Sequence, residues 1–446
     1  MGDRRYWFQT LGCPKNQVDS EKLAGQLERD GYRPARRPAE AELVVVNTCA
    51  FIEAARQESI DTVLELDAAR REGSRLVVTG CMAERYGDEL AAALPEVDLV
   101  AGFGVPLAAP PRPLGAPVRL SPARTRRPRV GGFDLLELPR PAATAPWAYL
   151  KVAEGCDRRC GFCAIPSFRG RQRSRPIEAL LAEVDALVGG AGGVPVREIV
   201  LVAQDLASWG RDRSRSRPTA TGGPAPIVEL TRAVAERVER TRLLYLYPSG
   251  LTDALVDAVV ATGVPYFDLS LQHVSRPLLA AMRRSGESRR FLRRIEQIRR
   301  RAPEATFRSS FILGYPGETE RDHDELLSFL RDAELDWAGF FPFSAEDGTV
   351  AASLPDQVPA ELALERLREC SELQDAVTAR RRDALVGTRC QVLVDEPGVG
   401  RTVHEAPEID GVVRVDRSLP VGRLVDVVVT RSLGTDLVAE VVGAAA

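Results

Sequence analysis

The sequence predicts an α/β protein: an N-terminal open parallel α/β domain, a partial (β/α)6 barrel and a C-terminal five-stranded, OB-like β-barrel. Short apolar runs alternate with helical patterns over the first hundred residues. Six further strand and helix units follow from residue 148, and the last segment alternates β-branched residues with polar ones. A length of 446 residues allows two to four domains. From these patterns we place the domains at residues 1–115, 142–378 and 379–446.

The N-terminal domain carries a cysteine directly after each predicted strand. The predicted helices are 20–29, 53–71 and 84–94, and the predicted strands are 6–11, 43–46 and 76–79. Carboxyl ends of parallel strands line one crevice, so we expect Cys13, Cys49 and Cys81 to meet there as a three-thiolate metal site. The alternative is that each thiol is a small buried hydrophobic side chain.

The next domain opens with a second group of thiols, in the loop Cys156-Asp157-Arg158-Arg159-Cys160-Gly161-Phe162-Cys163, after the predicted strand 148–152. We expect Gly155 and Gly161 to let the backbone wrap a cluster. No fourth cysteine is near, so one iron stays open to a ligand, as in catalytic metal sites. A zinc knuckle or three buried thiols are the alternatives. The later predicted strands are 198–202, 243–247, 267–271, 307–313 and 338–343, and the predicted helices include 177–188, 253–261 and 288–301.

The remaining segments have weaker patterns. Residues 104–146, rich in proline and arginine, predict an irregular linker along the surface, and 211–226 predict a mobile insertion. We expect Cys370 and Cys390 to be buried packing residues. The terminal strands are predicted at 390–394, 411–415, 425–430 and 437–442.

Charge and cysteine usage restrict the possible partners and environment. A net charge of −3 lacks the strong basic excess of proteins held on nucleic acid, so it favours a protein target, with local RNA contact still possible. No apolar run is long enough to cross a membrane. Eight cysteines without a secretory leader predict reduced, metal-binding thiols and a cytoplasmic location.

Motifs along nearly the whole chain carry a resemblance to a known family. The chain resembles the radical S-adenosylmethionine (AdoMet) methylthiotransferases, specifically the RimO type that modifies ribosomal protein S-twelve. Departures from the family pattern are Gln17, Gly161 and His323. The residues that carry the resemblance are Gly12 to Asn16, Val18 to Glu21, Asn47 to Cys49, Gly80 to Cys81, Ala153 to Cys163, Ile165 to Ser167, Arg169 to Gly170, Ala203 to Asp205, Ser270 to His273, Leu313 to Thr319, Leu354 to Val358 and Ala406 to Gly411.

The resemblance implies two [4Fe-4S] clusters and a division of labour. The cluster on Cys156, Cys160 and Cys163 would cleave AdoMet to a 5′-deoxyadenosyl radical, in a radical-AdoMet barrel. The cluster on Cys13, Cys49 and Cys81 would deliver the methylthio group to an aspartate β-carbon of ribosomal protein S-twelve. The implied AdoMet neighbours are Phe162, Gln204, Gln272 and Gly314.

Several of these assignments have structural alternatives. A strand-end glutamine or a Gly-Tyr-Pro-Gly turn is as often structural, and His273 can be a buried structural histidine. The implied partners are the small ribosomal subunit, an electron donor, a sulfur donor and RNA at a TRAM-like terminal barrel. We expect Glu408 and Asp410 to face the ribosomal target. A transfer-RNA methylthiotransferase and a non-catalytic electron-transfer or ribosome-assembly factor are the competing functions.

Overall fold

The computed structural model describes residues 4–108, 133–213 and 225–443. The chain divides into two compact units. The first comprises Met1–Pro141, Glu154–Cys156 and Ala164–Arg171, and the second comprises Ala142–Ala153, Asp157–Cys163 and Gln172–Ala446. The terminal β-barrel belongs to the second unit, and the domain boundaries at 115, 142 and 378 stay a prediction.

The first unit contains a parallel five-stranded sheet in the order β2-β1-β3-β4-β5. The central strand is buried along its whole length, as its unbroken apolar run requires. The three predicted strands are confirmed, but two edge strands of two and three residues were missed. The elements are β1 (Arg5–Thr10), α1 (Pro14–Arg29), β2 (Arg33–Pro34), β3 (Leu43–Thr48), α2 (Glu53–Ala69), β4 (Arg75–Gly80), α3 (Cys81–Ala93) and β5 (Leu99–Ala101).

The described end of the predicted linker packs against the first unit. Leu135 and Leu138 are buried in its core, and Lys22 Nζ on α1 donates a hydrogen bond of 2.8 Å to the Leu138 carbonyl. The prediction of a surface-running segment is therefore wrong here, because these apolar side chains cover α1. Residues 109–132 lie outside the described residues.

The second unit contains two three-stranded parallel sheets, in the orders β10-β9-β6 and β11-β12-β13. A parallel bridge between Leu246 and Leu269 joins them, which confirms the predicted partial barrel of six strands. The elements are β6 (Trp147–Lys151), β7 (Ala153–Glu154), α4 (Ile165–Arg169, part of the first unit), β8 (Arg173–Ser174), α5 (Ile177–Val188), β9 (Glu198–Val202), α6 (Pro226–Ala235), β10 (Arg240–Leu243), α7 (Asp253–Ala261), β11 (Tyr266–Gln272), α8 (Arg276–Ala281), α9 (Ser288–Arg301), β12 (Thr306–Leu313), α10 (Glu320–Ala333) and β13 (Trp337–Pro342).

One predicted barrel strand is displaced along the chain. Residues 243–247 were predicted, yet β10 ends at Leu243. Tyr245 has a left-handed φ of 64°, which ends the regular ladder, and its N–H bonds to Asp268 Oδ2 at 2.9 Å. Part of the predicted mobile insertion, 214–224, lies outside the described residues.

A long helix leads to a closed terminal barrel with strands in the order β14-β15-β16-β18-β17. Cys370 is fully buried, as predicted, and half-buried Cys390 packs against the core of the terminal barrel. Among the described residues, no helix is long and apolar enough to span a membrane. The elements are α11 (Ala360–Asp383), β14 (Arg389–Glu396), β15 (Val399–Arg401), β16 (Val413–Arg414), β17 (Leu424–Leu433) and β18 (Asp436–Val441).

Candidate functional site

The N-terminal thiol group, Cys13, Cys49 and Cys81, forms at the carboxyl ends of three adjacent strands. Cys13 is the N-cap of α1, Cys49 directly follows β3, and Cys81 is the first residue of α3. A Cβ built on Gly12 would lie 3.0 Å from Cys49 Sγ, so the loop before α1 directly contacts the thiol after β3. The structure therefore brings the loop that carries Cys13 against the Cys49 thiol, while a metal site made by all three thiols stays a prediction.

Two buried asparagines tie the strand ends together. Asn16 Nδ2 donates to the carbonyls of Leu11 and Thr48, at 2.9 and 3.1 Å. Asn47 Nδ2 donates to the Asn16 carbonyl at 2.8 Å and to Ser20 Oγ at 2.9 Å. Because these bonds join β1, α1 and β3, the backbone around the thiols is fixed.

Glycine is required at the turns that carry two of the thiols. Gly12 and Gly80 have φ of 91° and 92°, a backbone conformation that residues with a side chain rarely adopt. A Cβ at Gly80 would lie 2.2 Å from Asn47 Oδ1, and a Cβ at Gly12 would lie 2.9 Å from Cys49 Cβ. Both residues therefore allow a close approach that any side chain would block.

The surroundings of the N-terminal thiol group favour negative charge at one thiol and disfavour it at the others. Burial alone would raise the pKa of Cys13, but the charges of Lys15 and Arg169, together with backbone hydrogen bonds from Asn16 and Lys15, outweigh it and lower the pKa. Burial, reinforced by the two neighbouring thiols, raises the pKa of Cys49 to about 12. Burial likewise raises the pKa of Cys81, against the opposing charge of Arg169. A bound metal deprotonates such thiols outright.

The barrel thiol group, Cys156, Cys160 and Cys163, lies in the loop after β7, and backbone hydrogen bonds hold that loop. The Cys156 N–H donates to the Gly170 carbonyl at 3.0 Å, and the Cys163 N–H donates to the Cys160 carbonyl at 3.2 Å. Gly161 donates to the Met282 carbonyl and accepts from the Ala351 N–H, both at 2.9 Å. Phe162, half-buried, packs against the barrel core.

The two glycines of this loop act differently from one another. Gly155 has φ of 74°, and a Cβ there would lie 2.3 Å from the Arg171 carbonyl, as the prediction of permissive backbone requires. Gly161 does not have a positive φ; its role is close approach, because a Cβ would lie 2.9 Å from the Tyr315 hydroxyl. Permissive backbone dihedrals are therefore needed at Gly155, whereas Gly161 contributes the absence of a side chain.

Two arginines lie close to the Tyr247 ring. The guanidinium carbons of Arg158 and Arg284 lie 3.8 and 4.1 Å from the ring centroid. Arg158 Nε also bonds to buried Asp205 at 2.6 Å, and Arg284 Nη1 lies 3.5 Å from Cys160 Sγ. Positive charge therefore lies next to a thiol of the barrel group as well.

Three of the four predicted AdoMet neighbours lie at the ends of parallel barrel strands. Gln204 comes after β9, Gln272 ends β11 and Gly314 comes after β12. Gln272 has a left-handed φ of 71° at a shift in strand register, and such outliers concentrate at functional sites. Gly314 donates its N–H to the buried Glu318 carboxylate, which also accepts the Tyr315 N–H at 3.1 Å.

The donor chemistry fits iron–sulfur clusters at both thiol groups. Each group offers three thiols, and each has an arginine within hydrogen-bonding distance of one sulfur. Among the described residues, no set of three or more His, Cys, Asp or Glu side chains is arranged to hold a single metal ion. Thiolates around one tetrahedral ion lie about 2.3 Å from it, whereas a cubane distributes its thiolates over separate irons.

Known families match three successive parts of the chain. The uncharacterized protein family UPF0004 matches residues 5–102, the radical SAM superfamily matches residues 150–330, and the TRAM domain matches residues 386–442. The ribosomal protein uS12 methylthiotransferase RimO of Moorella thermoacetica is 44% identical over 440 residues, covering 95% of both chains. The chain belongs to the RimO family. The RimO protein of Streptomyces coelicolor is 41% identical, over 97% of this chain and 95% of its own.

Solved structures of other enzymes are only weakly similar to this RimO family member. The radical S-adenosylmethionine methyltransferase TsrM from Kitasatospora setae covers 76% of this chain and 75% of its own, at 16% identity and a TM-score of 0.44. The cobalamin-dependent radical enzyme OxsB covers 84% of this chain and 56% of its own, at 12% identity and a TM-score of 0.45. Scores this low support no inference beyond the sequence matches.

Sequence reasoning missed several residues around the thiols of this RimO family member. Asn16 and Arg169 belong to motifs that carried the family resemblance, but no role was assigned to them. Arg158 lies inside the cysteine loop, where its charge was a signal that could have been used, whereas Arg284 gave no signal because it lies 124 residues from Cys160.

Proposed function

We propose that the chain is a methylthiotransferase that installs a methylthio group on the β-carbon of an aspartate in ribosomal protein uS12. The convergence of Cys13, Cys49 and Cys81 at the ends of three strands carries this proposal. AdoMet cleavage alone needs only the barrel thiol group, so a second buried thiol group indicates a second task. The curated relatives, similar over nearly their whole length, are named for that transfer.

Each thiol group holds one [4Fe-4S] cluster in this proposal. Cys156, Cys160 and Cys163 hold the cluster of the barrel, and Cys13, Cys49 and Cys81 hold the cluster of the first unit. When bound, the clusters and AdoMet supply the electron, the hydrogen-abstracting radical and the methylthio group. The protein positions these groups and excludes water, through buried strand ends and fixed loops.

The AdoMet site lies at the carboxyl ends of the barrel strands in this proposal. Gln204 and Gln272 offer amide groups there, and Phe162 offers an apolar face. The turn at Gly314 is held by the buried carboxylate of Glu318, whose pKa is raised by burial against the opposing charge of Arg366. A rigid turn beside the cofactor keeps its backbone donors and acceptors in place.

The partners follow from the same proposal. The substrate is uS12, free or within the small ribosomal subunit, and an external electron donor and sulfur donor are required. A TRAM domain at residues 386–442 supports contact of the terminal barrel with ribosomal RNA. Such contact would be local, because the chain carries a net charge of −3.

Mass spectrometry of cells with and without the gene tests the function. We expect uS12 from gene-bearing cells to be heavier by one methylthio group in place of hydrogen, on an aspartate, and the modification to be absent from deletion cells. Transfer-RNA nucleosides serve as the control and should be identical in both strains. A change confined to the nucleosides would replace this function by the transfer-RNA alternative.

Iron analysis tests the two ligand sets separately. Anaerobically reconstituted protein should hold about eight irons, and about four after alanine replaces either thiol group. Alanine variants of Cys370 and Cys390 are the matched controls, because these cysteines lie in the regular elements α11 and β14 and belong to neither thiol group. Zinc in place of iron, or no loss in the Cys13, Cys49 and Cys81 variant, would contradict the two-cluster arrangement.

A further inference from the structure

Arg169 is a buried arginine of the first unit that has no role in the two-cluster arrangement. It ends α4, and 2% of its side chain is exposed. Its guanidinium lies over the Phe103 ring, 4.5 Å from the centroid. Burying a guanidinium is costly unless all its donors are satisfied, so its partners show what the position is used for.

The partners of Arg169 fix both ends of the guanidinium. Nη1 donates to Glu154 at 2.9 and 3.1 Å and lies 3.2 Å from Asp19 Oδ2. Nη2 donates to Asn16 Oδ1 at 2.7 Å and to Cys81 Sγ at 3.1 Å, and it also lies 3.2 Å from Asp19 Oδ2. Two carboxylates and an amide oxygen therefore orient the guanidinium so that Nη2 also reaches a thiol.

The contact with sulfur is not needed to neutralise the charge of the guanidinium. One carboxylate is enough for that, and a second is present. The same Asn16 that accepts from Nη2 also binds the turn after β1 and the end of β3. Asn16 therefore links the guanidinium to the strand ends that carry the N-terminal thiol group.

We infer that Arg169 is a positioning residue for the N-terminal cluster, which it serves by donating an N–H···S hydrogen bond to the Cys81 thiolate and by fixing a positive charge beside the cluster. This inference rests on the proposed ligand set Cys13, Cys49 and Cys81. Hydrogen bonds to ligand sulfurs and nearby charge set the reduction potential of iron–sulfur clusters. A donor and a positive charge stabilise the reduced, more negative cluster, so Arg169 raises its potential.

Two substitutions separate the effect of the positive charge from the effect of the guanidinium's hydrogen-bonding geometry. Arg169→Gln removes the charge. Arg169→Lys keeps it but replaces the planar five-donor fork by a point charge that cannot serve all four partners. Both variants are made in protein whose Cys156, Cys160 and Cys163 are replaced by alanine, so that only the N-terminal cluster gives a signal.

The readouts are iron content and an electron paramagnetic resonance titration of the reduction potential. Arg242→Lys is the matched control, because Arg242 is also fully buried and paired with a carboxylate, Glu198 at 2.7 Å, but belongs to the second unit, whereas this thiol group belongs to the first. We expect a more negative potential in Arg169→Gln, a smaller shift in Arg169→Lys, and no shift in Arg242→Lys. Loss of the four irons from folded Arg169 variants, with Arg242→Lys retaining them, supports the same role.

Other outcomes overturn the inference. Unchanged iron and potential in both Arg169 variants would make the residue an ordinary buried ion pair. Global unfolding of both variants, seen by circular dichroism, would assign it to folding and not to the cluster. A parent protein that holds no iron when its barrel thiol group is removed would overturn the proposed ligand set itself, which distinguishes that failure from a failure of the inference alone.

Discussion

The Tyr266 hydroxyl donates a hydrogen bond of 2.6 Å to the Asp410 carboxylate. Tyr266 begins a barrel strand, and Asp410 lies in the terminal domain, where it also accepts from the Ala406 N–H at 2.8 Å and lies 3.5 Å from Arg308 Nε. The segment expected to face the ribosomal target instead joins two parts of the second unit. The prediction that Asp410 docks a partner is therefore wrong; its side chain is buried.

Replacing Asp410 should reduce stability. Asp410→Ala leaves the Tyr266 hydroxyl and a backbone N–H without their acceptor, and we expect a loss of about 2–4 kcal/mol in the free energy of unfolding. Glu440→Ala, an exposed acidic residue of the same terminal barrel, is the control and should change stability by less than about 0.5 kcal/mol. Urea denaturation measures both. Equal stabilities would show that the buried carboxylate contributes nothing to the junction.

The His273 side chain should make the protein less stable in mild acid. Burial, opposed by nearby Asp322, lowers the pKa of His273 from 6.5 to about 4. Because the folded-state pKa is depressed, protonation favours the unfolded state, so stability is lost as the pH falls from 6.5 towards 4. Between pH 7 and pH 5 this amounts to about 2 kcal/mol.

A single substitution isolates that contribution. His273→Asn keeps an acceptor for the Ser275 N–H, which lies 3.0 Å from His273 Nδ1, but cannot titrate. Urea denaturation at pH 7 and pH 5 should show a smaller loss in the variant than in the parent. Identical losses would mean that other groups determine the acid sensitivity.

A methyl group at Gly12 should impair the N-terminal cluster. Gly12→Ala places a Cβ 3.0 Å from Cys49 Sγ and strains a φ of 91°. We expect reconstituted protein to hold about four irons where the parent holds about eight. Gly73→Ala is the matched control: its φ is 78°, but nothing lies within 4 Å of the added carbon. Full iron content in Gly12→Ala would show that the thiol can move without loss of the site.

Variants of single cysteines should separate radical generation from sulfur transfer. Cys49→Ala should still release 5′-deoxyadenosine from AdoMet under a strong reductant but form no methylthiolated uS12, whereas Cys160→Ala should lose both. If Cys49 only packs at a strand end, its replacement costs about 1–2 kcal/mol of stability and spares the chemistry. Quantifying both products on folded variants decides, and methylthiolation at the parent rate by Cys49→Ala would remove the two-cluster mechanism.

Local patterns explain what the sequence predicted well. Helices α5, α7 and α9 have the predicted bounds because their apolar periodicity starts and stops sharply. The strand ends with their cysteines were predictable because parallel strands share one edge. By contrast, the contacts of Arg169 join residues 15 to 153 positions apart, and no local pattern encodes them. The sequence did not predict the start of α1 at Pro14, because the polar residues Lys15 and Asn16 interrupt the hydrophobic periodicity of the helix. Both are nevertheless buried.

The eight residues that follow Cys163, Ala164–Arg171, count with the first unit. The first 141 residues of this protein are therefore not an independent module. A gene fragment ending at Pro141 would encode the whole five-stranded sheet and all three of its cysteines, yet would lack the guanidinium that bonds to Asn16, Asp19 and Cys81. Recombination that exchanged the first unit between relatives would have to carry three separate stretches of coding sequence together, which links the evolution of the sheet to that of the barrel loop.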